Sequence, residues 1–342
     1  MAKPSQPIVI VGGGLAGLSL GLALRHADAP VTVYEAGAYP RHRVCGEFMT
    51  GLSAATITRL GLGPILQGAP TYREVAWFWR EQALRRQQLV QPAIGVSRYL
   101  VDERLAAAFT AAGGELRAHT RLPIDEAPPG HVFATGRRPV RPAWIGLKCH
   151  ALGLGLSAEL ELHLGERAYV GLCAVEAGRV NVSGLFRLRR GLDLSRAQAL
   201  PAYLRAVGLG VLAERLAAAA IDPASCTAVA GLGFSTPSRR TDRLEIGDTY
   251  AMIPPFTGHG MAMAFQGAEQ ALDPLLAWSR GEAAWDETLR VVRARHRRLF
   301  RVRLMSAAAL QPFLLHPAGQ RGLATASRLG LLPFDSLYQL TH

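Results

Sequence analysis

The N-terminal segment of this chain restricts its fold more than any other stretch. Residues 8–24 read IVIVGGGLAGLSLGLAL, which is uncharged and contains five glycines. The pattern predicts a buried strand at Ile8–Val11, a glycine turn and a helix. A signal peptide or a membrane span fits less well, because Arg25 and a second strand-like stretch follow at once. That second strand, Val31–Tyr34, ends at Glu35, as in a βαβ unit.

The turn carries a glycine spacing that suits a dinucleotide. Gly12-x-Gly14-x-x-Gly17 supplies one glycine for the tight turn, one for the approach of a pyrophosphate and one for close helix–strand packing. The helix begins here with free N–H groups and a partial positive charge, and both favour phosphate. Glu35 can accept hydrogen bonds from both ribose hydroxyls. We therefore predict an adenine dinucleotide at Gly12, Gly14, Leu15, Ala16, Gly17, Glu35 and Ala36.

Two later segments bear on which dinucleotide is bound. VSRYLVDERLAAAF (96–109) starts extended and becomes helical, and on this pattern alone Arg98 would be an ordinary surface arginine. LEIGDTYAMIPPFTGHGMAMAFQGAEQALDPLL (244–276) predicts a strand ending at Gly247–Asp248, a proline-rich loop and a helix starting near Gly258. A protein that binds only NAD has no need of the strand, loop and helix predicted at 244–276.

Together, the three segments resemble the flavoprotein superfamily of class A flavin monooxygenases, flavin-dependent halogenases and geranylgeranyl reductases, over most of the chain. The resemblance implies FAD as the cofactor. It places Arg98, in an R-x-x-x-D-x-x-L segment, near the FAD phosphates, and Asp248 of the GD signature on the ribityl chain. It also places the next loop and helix start against the isoalloxazine ring, with Pro255, Gly258, Gly260 and Met261 as cofactor residues and His259 as a catalytic candidate.

The same resemblance implies the fold. We expect an α/β protein with a Rossmann-type, doubly wound FAD-binding domain that includes a β-meander, an inserted β-sheet substrate domain and a helical C-terminus. The FAD-binding domain would be discontinuous, over 1–70, 96–145 and 228–280, with HVFATGRR (131–138) as a returning strand. The substrate sheet would take 71–95 and 146–227, where residues 168–189 read as two strands across a Glu-Ala-Gly turn. Residues 281–342 would be helical.

Residues 40–49, PRHRVCGEFM, leave the cofactor-binding edge of the predicted sheet. Their form resembles the P-x(4)-C-G-E/G segment of the geranylgeranyl-reductase branch, which makes that branch the nearest. Arg41 and Arg43 either neutralise the pyrophosphate or face solvent. Cys45 is either a small buried filler or a reactive thiol. Glu47, near a flavin and an apolar pocket, is expected to have a raised pKa and to donate a proton.

The sequence leaves three functions open. An FAD-dependent monooxygenase would oxygenate an apolar small molecule through a flavin C4a-hydroperoxide. A reductase of the geranylgeranyl-reductase type would deliver hydride to a carbon–carbon double bond, with Cys45 or Glu47 as proton donor. A non-catalytic FAD-binding maturation or scaffold subunit would turn over no small molecule. We favour the monooxygenase, because Leu172-Cys173-Ala174-Val175-Glu176 lacks the aromatic-Pro motif of many geranylgeranyl reductases. NAD(P)H or a partner reductase would supply the electrons.

Charge and cysteine usage bear on partners and compartment. The formal net charge of +12 is carried almost entirely by arginine, since Lys3 and Lys148 are the only lysines. A C-terminal helix would place arginines on one side, either solvated or docked on an acidic carrier protein or a membrane surface. These arginines are Arg290, Arg297, Arg298 and Arg301. The four widely spaced cysteines predict no disulfide framework and no metal site, and we expect a cytoplasmic protein that binds no nucleic acid.

Overall fold

The computed structural model describes residues 5–331, except for residues 124, 138, 139, 142, 190, 193, 194, 196, 235 and 236. The strands of its first half are β1 (Ile8–Val11), β2 (Val31–Tyr34), β3 (Phe48–Met49), β4 (Thr71–Trp79), β5 (Gln82–Gly95), β6 (Glu115–Arg117) and β7 (His131–Phe133). The later strands are β8 (Trp144–Leu152), β9 (Leu160–Gly165), β10 (Ala168–Ala174), β11 (Arg179–Arg187), β12 (Ala220–Ala230) and β13 (Leu244–Glu245).

Helices lie between these strands along the sequence, and the C-terminal part of the described chain is helical. They are α1 (Leu15–His26), α2 (Ala54–Arg59), α3 (Gly63–Leu66), α4 (Arg98–Ala111), α5 (Ala199–Ala206), α6 (Gly210–Ala217), α7 (Gly260–Ser279), α8 (Trp285–Leu315) and α9 (Pro317–Arg328). Residues 332–342 of the expected C-terminal helices lie outside the described residues, as does Arg138 of the expected strand at 131–138. Within the described residues, every helix is too short or too polar to cross a bilayer.

The first sheet is parallel and has the strand order β13-β7-β1-β2-β6. The chain leaves β1 through α1 to reach β2 on one side, and β7 pairs with β1 on the other side. The strand order therefore reverses at β1. In sheets of this kind, ligands bind outside the carboxyl ends of the strands at such a point. The fold thus places a binding site just after Val11.

Helix α1 forms the centre of the core beside this sheet. Every residue from Leu15 to Leu24 is buried, as expected of a helix that is apolar on all sides. The cluster that contains α1 also contains Phe109 of α4 and Phe265 of α7. Helices α4 and α7 therefore hold α1 against the sheet, and its N-terminus faces the carboxyl end of β1.

The second sheet has eight strands in the order β12-β8-β11-β10-β9-β4-β5-β3. Its neighbours are antiparallel except for β4 and β9. Strands β10 and β11 meet across the expected Glu-Ala-Gly turn, at Glu176–Gly178. Helices α5 and α6 pack on one face of this sheet through a cluster that includes Tyr203 and Leu212. The expected α/β fold, with a parallel sheet, a second sheet and a helical C-terminus, is confirmed.

Candidate active site

A cleft of about 1360 Å³ runs from the carboxyl end of β1 to the second sheet. Sites for drug-sized molecules occupy roughly 300–1,000 Å³, so this cleft can hold a longer ligand. Its lining includes every cofactor residue predicted from the sequence except Gly17, and of the catalytic candidates only Cys45. The fold therefore brings the separate sequence motifs together in one place.

The three motif glycines have three different surroundings. Gly12 has a φ of +112°, and a Cβ there would lie 2.2 Å from the Ala134 carbonyl oxygen. A Cβ at Gly17 would lie 2.0 Å from the Gly12 carbonyl oxygen, whereas a Cβ at Gly14 would meet nothing closer than 4.0 Å. Gly12 and Gly17 are thus required by the packing of the turn, and Gly14 leaves open space on the cleft side.

The N-terminus of α1 is open to the cleft. Its N-cap residue is Gly14, so no side chain caps the N–H groups of the first turn. Glu35 lies directly after β2. One of its carboxylate oxygens accepts from the Gly13 N–H and the other from the Gly37 N–H, both at 2.9 Å. Carboxylate oxygens keep further lone pairs after such bonds. Glu35 is therefore fixed in place and still able to accept hydrogen bonds from a ligand.

Three arginines line the cleft beside this helix start. Arg98 makes a bidentate pair with Asp102, at 2.9 Å for both bonds, and Arg43 donates to the same carboxylate at 3.0 Å. Arg41 donates to Glu35 at 3.2 Å, and Arg43 also lies 3.9 Å from that carboxylate. Three guanidinium groups face two carboxylates, which leaves a net positive charge near the free N–H groups. Both features favour a phosphate.

The GD segment reaches the same cleft from the other side. Gly247, with a φ of +60°, turns the chain after β13, and the Asp248 carboxyl faces the cleft. Desolvation by its surroundings raises the pKa of Asp248, while Arg98 and Arg137 oppose that shift. Pro255, Gly258, Gly260 and Met261 continue the lining.

Two of the predicted catalytic residues lie outside the lining. His259 is fully buried behind the start of α7, where its Nε2 lies 3.2 Å from the Thr50 hydroxyl. Glu47 is also fully buried. One of its oxygens accepts from Lys148 Nζ at 2.5 Å and from the Arg98 backbone N–H at 2.8 Å, and the other lies 2.5 Å from His150 Nε2.

The expected raised pKa of Glu47 is wrong. Burial alone would raise it, but the hydrogen bond from His150 and the charge and hydrogen bond of Lys148 outweigh burial and hold the pKa below its ordinary value. Glu47 therefore carries no proton to donate at neutral pH. Its carboxylate instead ties the loop to β8, with a left-handed backbone at φ +57°.

Cys45 lines the cleft as a neutral thiol. Burial raises its pKa more than the nearby charge of Arg98 lowers it, so the thiolate that a nucleophile needs is disfavoured. Asn181 Nδ2 donates to the carbonyl oxygens of Cys45, at 3.1 Å, and Gly46, at 2.7 Å. The loop is thus held to the second sheet by its own backbone. These observations favour the filler role over the reactive one.

Sequence reasoning missed three residues at the inner end of the cleft, the end that reaches the second sheet. Lys148 and His150 lie on β8 and flank Glu47, and His42 lines the cleft with its ring 4.5 Å from that of Tyr99. Burial and the charge of Lys148 lower the pKa of His42 to about 4, which keeps the imidazole neutral at neutral pH. The available signal was Lys148 itself, one of two lysines in a chain with 38 basic Lys and Arg residues.

Apolar side chains form the remaining wall of the inner end. They are Val44, Phe48, Leu147, Leu200, Val229, Leu232, Met252 and Ile253. The Phe48 ring also packs against the backbone of Gly258, where a Cβ would lie 2.3 Å from the ring. The loop at 44–48 and the loop before α7 therefore meet at the middle of the cleft.

The sequence matches no protein-family model and no curated protein. The fold, however, is similar to solved flavoprotein structures. Pseudomonas aeruginosa PqsL in complex with 2-aminobenzoylacetate aligns with a TM-score of 0.74 at 15% identity, covering 93% of this chain and 99% of PqsL. Klebsiella pneumoniae HpxO, complexed with FAD and uric acid, gives 0.74 at 16% identity, covering 98% and 95%. The flavin-dependent brominase Bmp2 gives 0.74 at 16% identity, covering 99% and 93%.

Proposed function

We propose that this chain is an FAD-dependent oxidoreductase that oxygenates an apolar small molecule as a monooxygenase. One observation carries the proposal: a single cleft joins the glycine turn, Asp248 and an apolar inner wall. The likeness in fold to structures of HpxO with FAD and of the probable FAD-dependent monooxygenase PqsL supports the choice of cofactor. Kinship with the geranylgeranyl-reductase branch stays a prediction from the sequence.

The residues present fit FAD. The open N-terminus of α1 with Arg41, Arg43 and Arg98 suits the pyrophosphate, and Glu35 suits the adenosine ribose. The Asp248 carboxyl, exposed to the cleft, suits the hydroxyls of the ribityl chain. When bound and reduced, FAD supplies the activation of molecular oxygen.

The chain's own residues would then exclude water and orient the substrate. Val44, Leu147, Val229 and Leu232 offer an apolar surface at the end of the cleft, and burial there favours an apolar substrate by about 25 cal/mol per Å². His42, neutral at neutral pH, adds a polar group beside this apolar surface. A dry site also limits side reactions of a reactive bound species.

The alternative reductase would require a proton donor opposite the flavin. Glu47 does not fit that task, because it is ionised, buried and engaged on both oxygens. Of the two candidate donors, only Cys45, a neutral thiol on the cleft lining, then remains for a reductase, and the loss of Glu47 is one argument for oxygenation over reduction of a carbon–carbon double bond. Electrons would come from NAD(P)H or from a partner reductase, and both sources belong to the proposal.

The test begins with the purified protein. We expect a yellow protein that releases FAD on denaturation, and we expect Asp248→Asn to lower the FAD content. Chemical reduction without air, followed by oxygen enriched in the heavy isotope and a panel of apolar small molecules, should yield a product heavier by one labelled oxygen atom. A product heavier by two hydrogens would support the reductase instead. A protein that folds but binds no FAD would overturn the proposal.

A further inference from the structure

The outward face of α8 combines exposed apolar side chains with arginines. Val302 is 59% exposed, Met305 61% and Phe313 55%. These residues recur at spacings of three and eight, so they share one side of the helix. Arg297, Arg298 and Arg301 are also exposed and precede them along the helix. We call these six residues the α8 face. Its first half is cationic and its second half is apolar.

Within the part of the chain that the structure describes, no ion pair neutralises the arginines of this face. From Arg290 to Leu315 the chain has seven arginines and no carboxylate. Arg290 lies 3.8 Å from Glu287, but within the described residues no carboxylate pairs with Arg297, Arg298 or Arg301. Exposed, uncompensated arginines beside an apolar surface are typical of segments that lie on anionic lipid.

We propose that the α8 face docks on an anionic membrane surface, with the arginines on the lipid headgroups and Val302, Met305 and Phe313 in the acyl boundary. An acidic protein would account for the arginines but would leave these apolar side chains unexplained. A second copy of the chain would bring either arginine against arginine or arginine against an apolar side chain, and both arrangements are unfavourable. Lipid satisfies both halves of the face at once.

On its opposite side, the C-terminal end of α8 packs against residues that line the cleft. Leu314 and Leu315 belong to a buried cluster with Leu232, and the cluster packs against Met252. Leu232 and Met252 also line the cleft. A molecule dissolved in the bilayer would therefore arrive beside the wall of the apolar pocket. The docking itself does not depend on the proposed oxygenation, and it is measured without turnover.

The experiment is flotation of the full-length protein with lipid vesicles. We expect binding to vesicles of phosphatidylcholine mixed with phosphatidylglycerol and little binding to phosphatidylcholine alone. The triple variant Arg297→Glu, Arg298→Glu, Arg301→Glu should bind the anionic vesicles at least about tenfold more weakly, since basic residues near the surface are attracted by anionic lipid. The double variant Met305→Ser, Phe313→Ser should also lose binding.

Matched controls change the same residue types elsewhere on the surface. The triple variant Arg205→Glu, Arg240→Glu, Arg280→Glu and the double variant Val90→Ser, Val211→Ser alter exposed side chains outside α8, and both should bind like the unchanged protein. The fluorescence of the indole introduced by Phe313→Trp should be quenched by lipids brominated on the acyl chain. The proposal is overturned if the unchanged protein does not bind anionic vesicles. It also fails if only the charge reversals weaken binding, as an acidic partner would require, or if the double variant Met305→Ser, Phe313→Ser dissociates a dimer.

Discussion

The outer end of the cleft, beside the glycine turn, and its inner end, beside the second sheet, differ in how their charges are paired. At the outer end, Arg41, Arg43 and Arg98 outnumber Glu35 and Asp102, and the two arginines of the loop remain partly exposed. At the inner end, Lys148 Nζ pairs with Glu47 at 2.5 Å, and both side chains are fully buried. The outer end therefore remains attractive to an anionic ligand, whereas the inner end is already neutralised by the protein. Charges that bind a ligand are left in excess, and charges that hold a loop are paired.

The largest expected effect of a single substitution is at the inner end. Glu47→Ala would leave Lys148 and His150 buried without their carboxylate, and breaking a buried pair in this way costs about 3–5 kcal/mol. Urea unfolding should show that loss. Glu115→Ala, which removes an exposed carboxylate paired with Arg117, is the control and should change little. An equally small change in unfolding free energy for Glu47→Ala would show that the buried pairs of Glu47 do not stabilise the fold.

At the glycine turn of the outer end, two substitutions separate the effect on stability from the effect on ligand affinity. Gly17→Ala would place a Cβ against the Gly12 carbonyl oxygen, and overpacking of this kind costs about 1–3 kcal/mol. Gly14→Ala meets open space, so the protein should unfold at the same urea concentration as the unchanged chain. Its FAD affinity should nevertheless fall by at least about tenfold, or about 1.4 kcal/mol. Equal stability losses in the two variants would contradict this division.

Acid provides a third test of the inner end. The pKa of Glu47 is lower in the folded chain than its ordinary value, so its stabilising contribution is complete above about pH 4.3 and is lost as the pH falls through the folded pKa. Lys148→Met removes one cause of that lowering. The loss of unfolding free energy in acid should then be smaller and should end at a higher pH, while its onset, which the unfolded carboxyl sets, stays at about pH 4.3.

Glu161 serves as the internal reference for that titration. Hydrogen bonds from His163 and Arg215 outweigh burial and lower its pKa to about 2, so its contribution is lost as the pH falls from about 4.3 towards 2. Lys148→Met should leave the contribution of Glu161 unchanged. Unfolding free energies measured along the pH series for both proteins would show the change, and an acid loss that Lys148→Met leaves unaltered would argue against a link between Lys148 and Glu47.

The outer end was largely readable from the sequence, because its function depends on local backbone. The strand, the turn and the helix start lie within residues 8–26, and Glu35 follows one strand later. The inner end was not readable. Glu47 meets partners 101 and 103 residues away, and no local pattern encodes such contacts. The carboxylate of the Cys-Gly-Glu segment was noticed, but the sign of its pKa shift depends on Lys148 and His150, which only the folded sheet brings near.

Arg98 is the residue at which the two ends meet, and it gives the smallest but most discriminating test. Its backbone N–H donates to Glu47 at 2.8 Å, while its guanidinium pairs with Asp102 at the outer end. Arg98→Lys keeps the backbone bond and the positive charge but loses the bidentate geometry. We expect FAD affinity to fall by about tenfold, or about 1.4 kcal/mol, in a titration followed by flavin fluorescence. Unfolding of the FAD-free protein should stay close to that of the unchanged chain, because the bond to Glu47 survives. A variant that unfolds as readily as Glu47→Ala would show that the arginine side chain supports both ends, and the separation between ligand-binding and loop-holding charge would no longer stand.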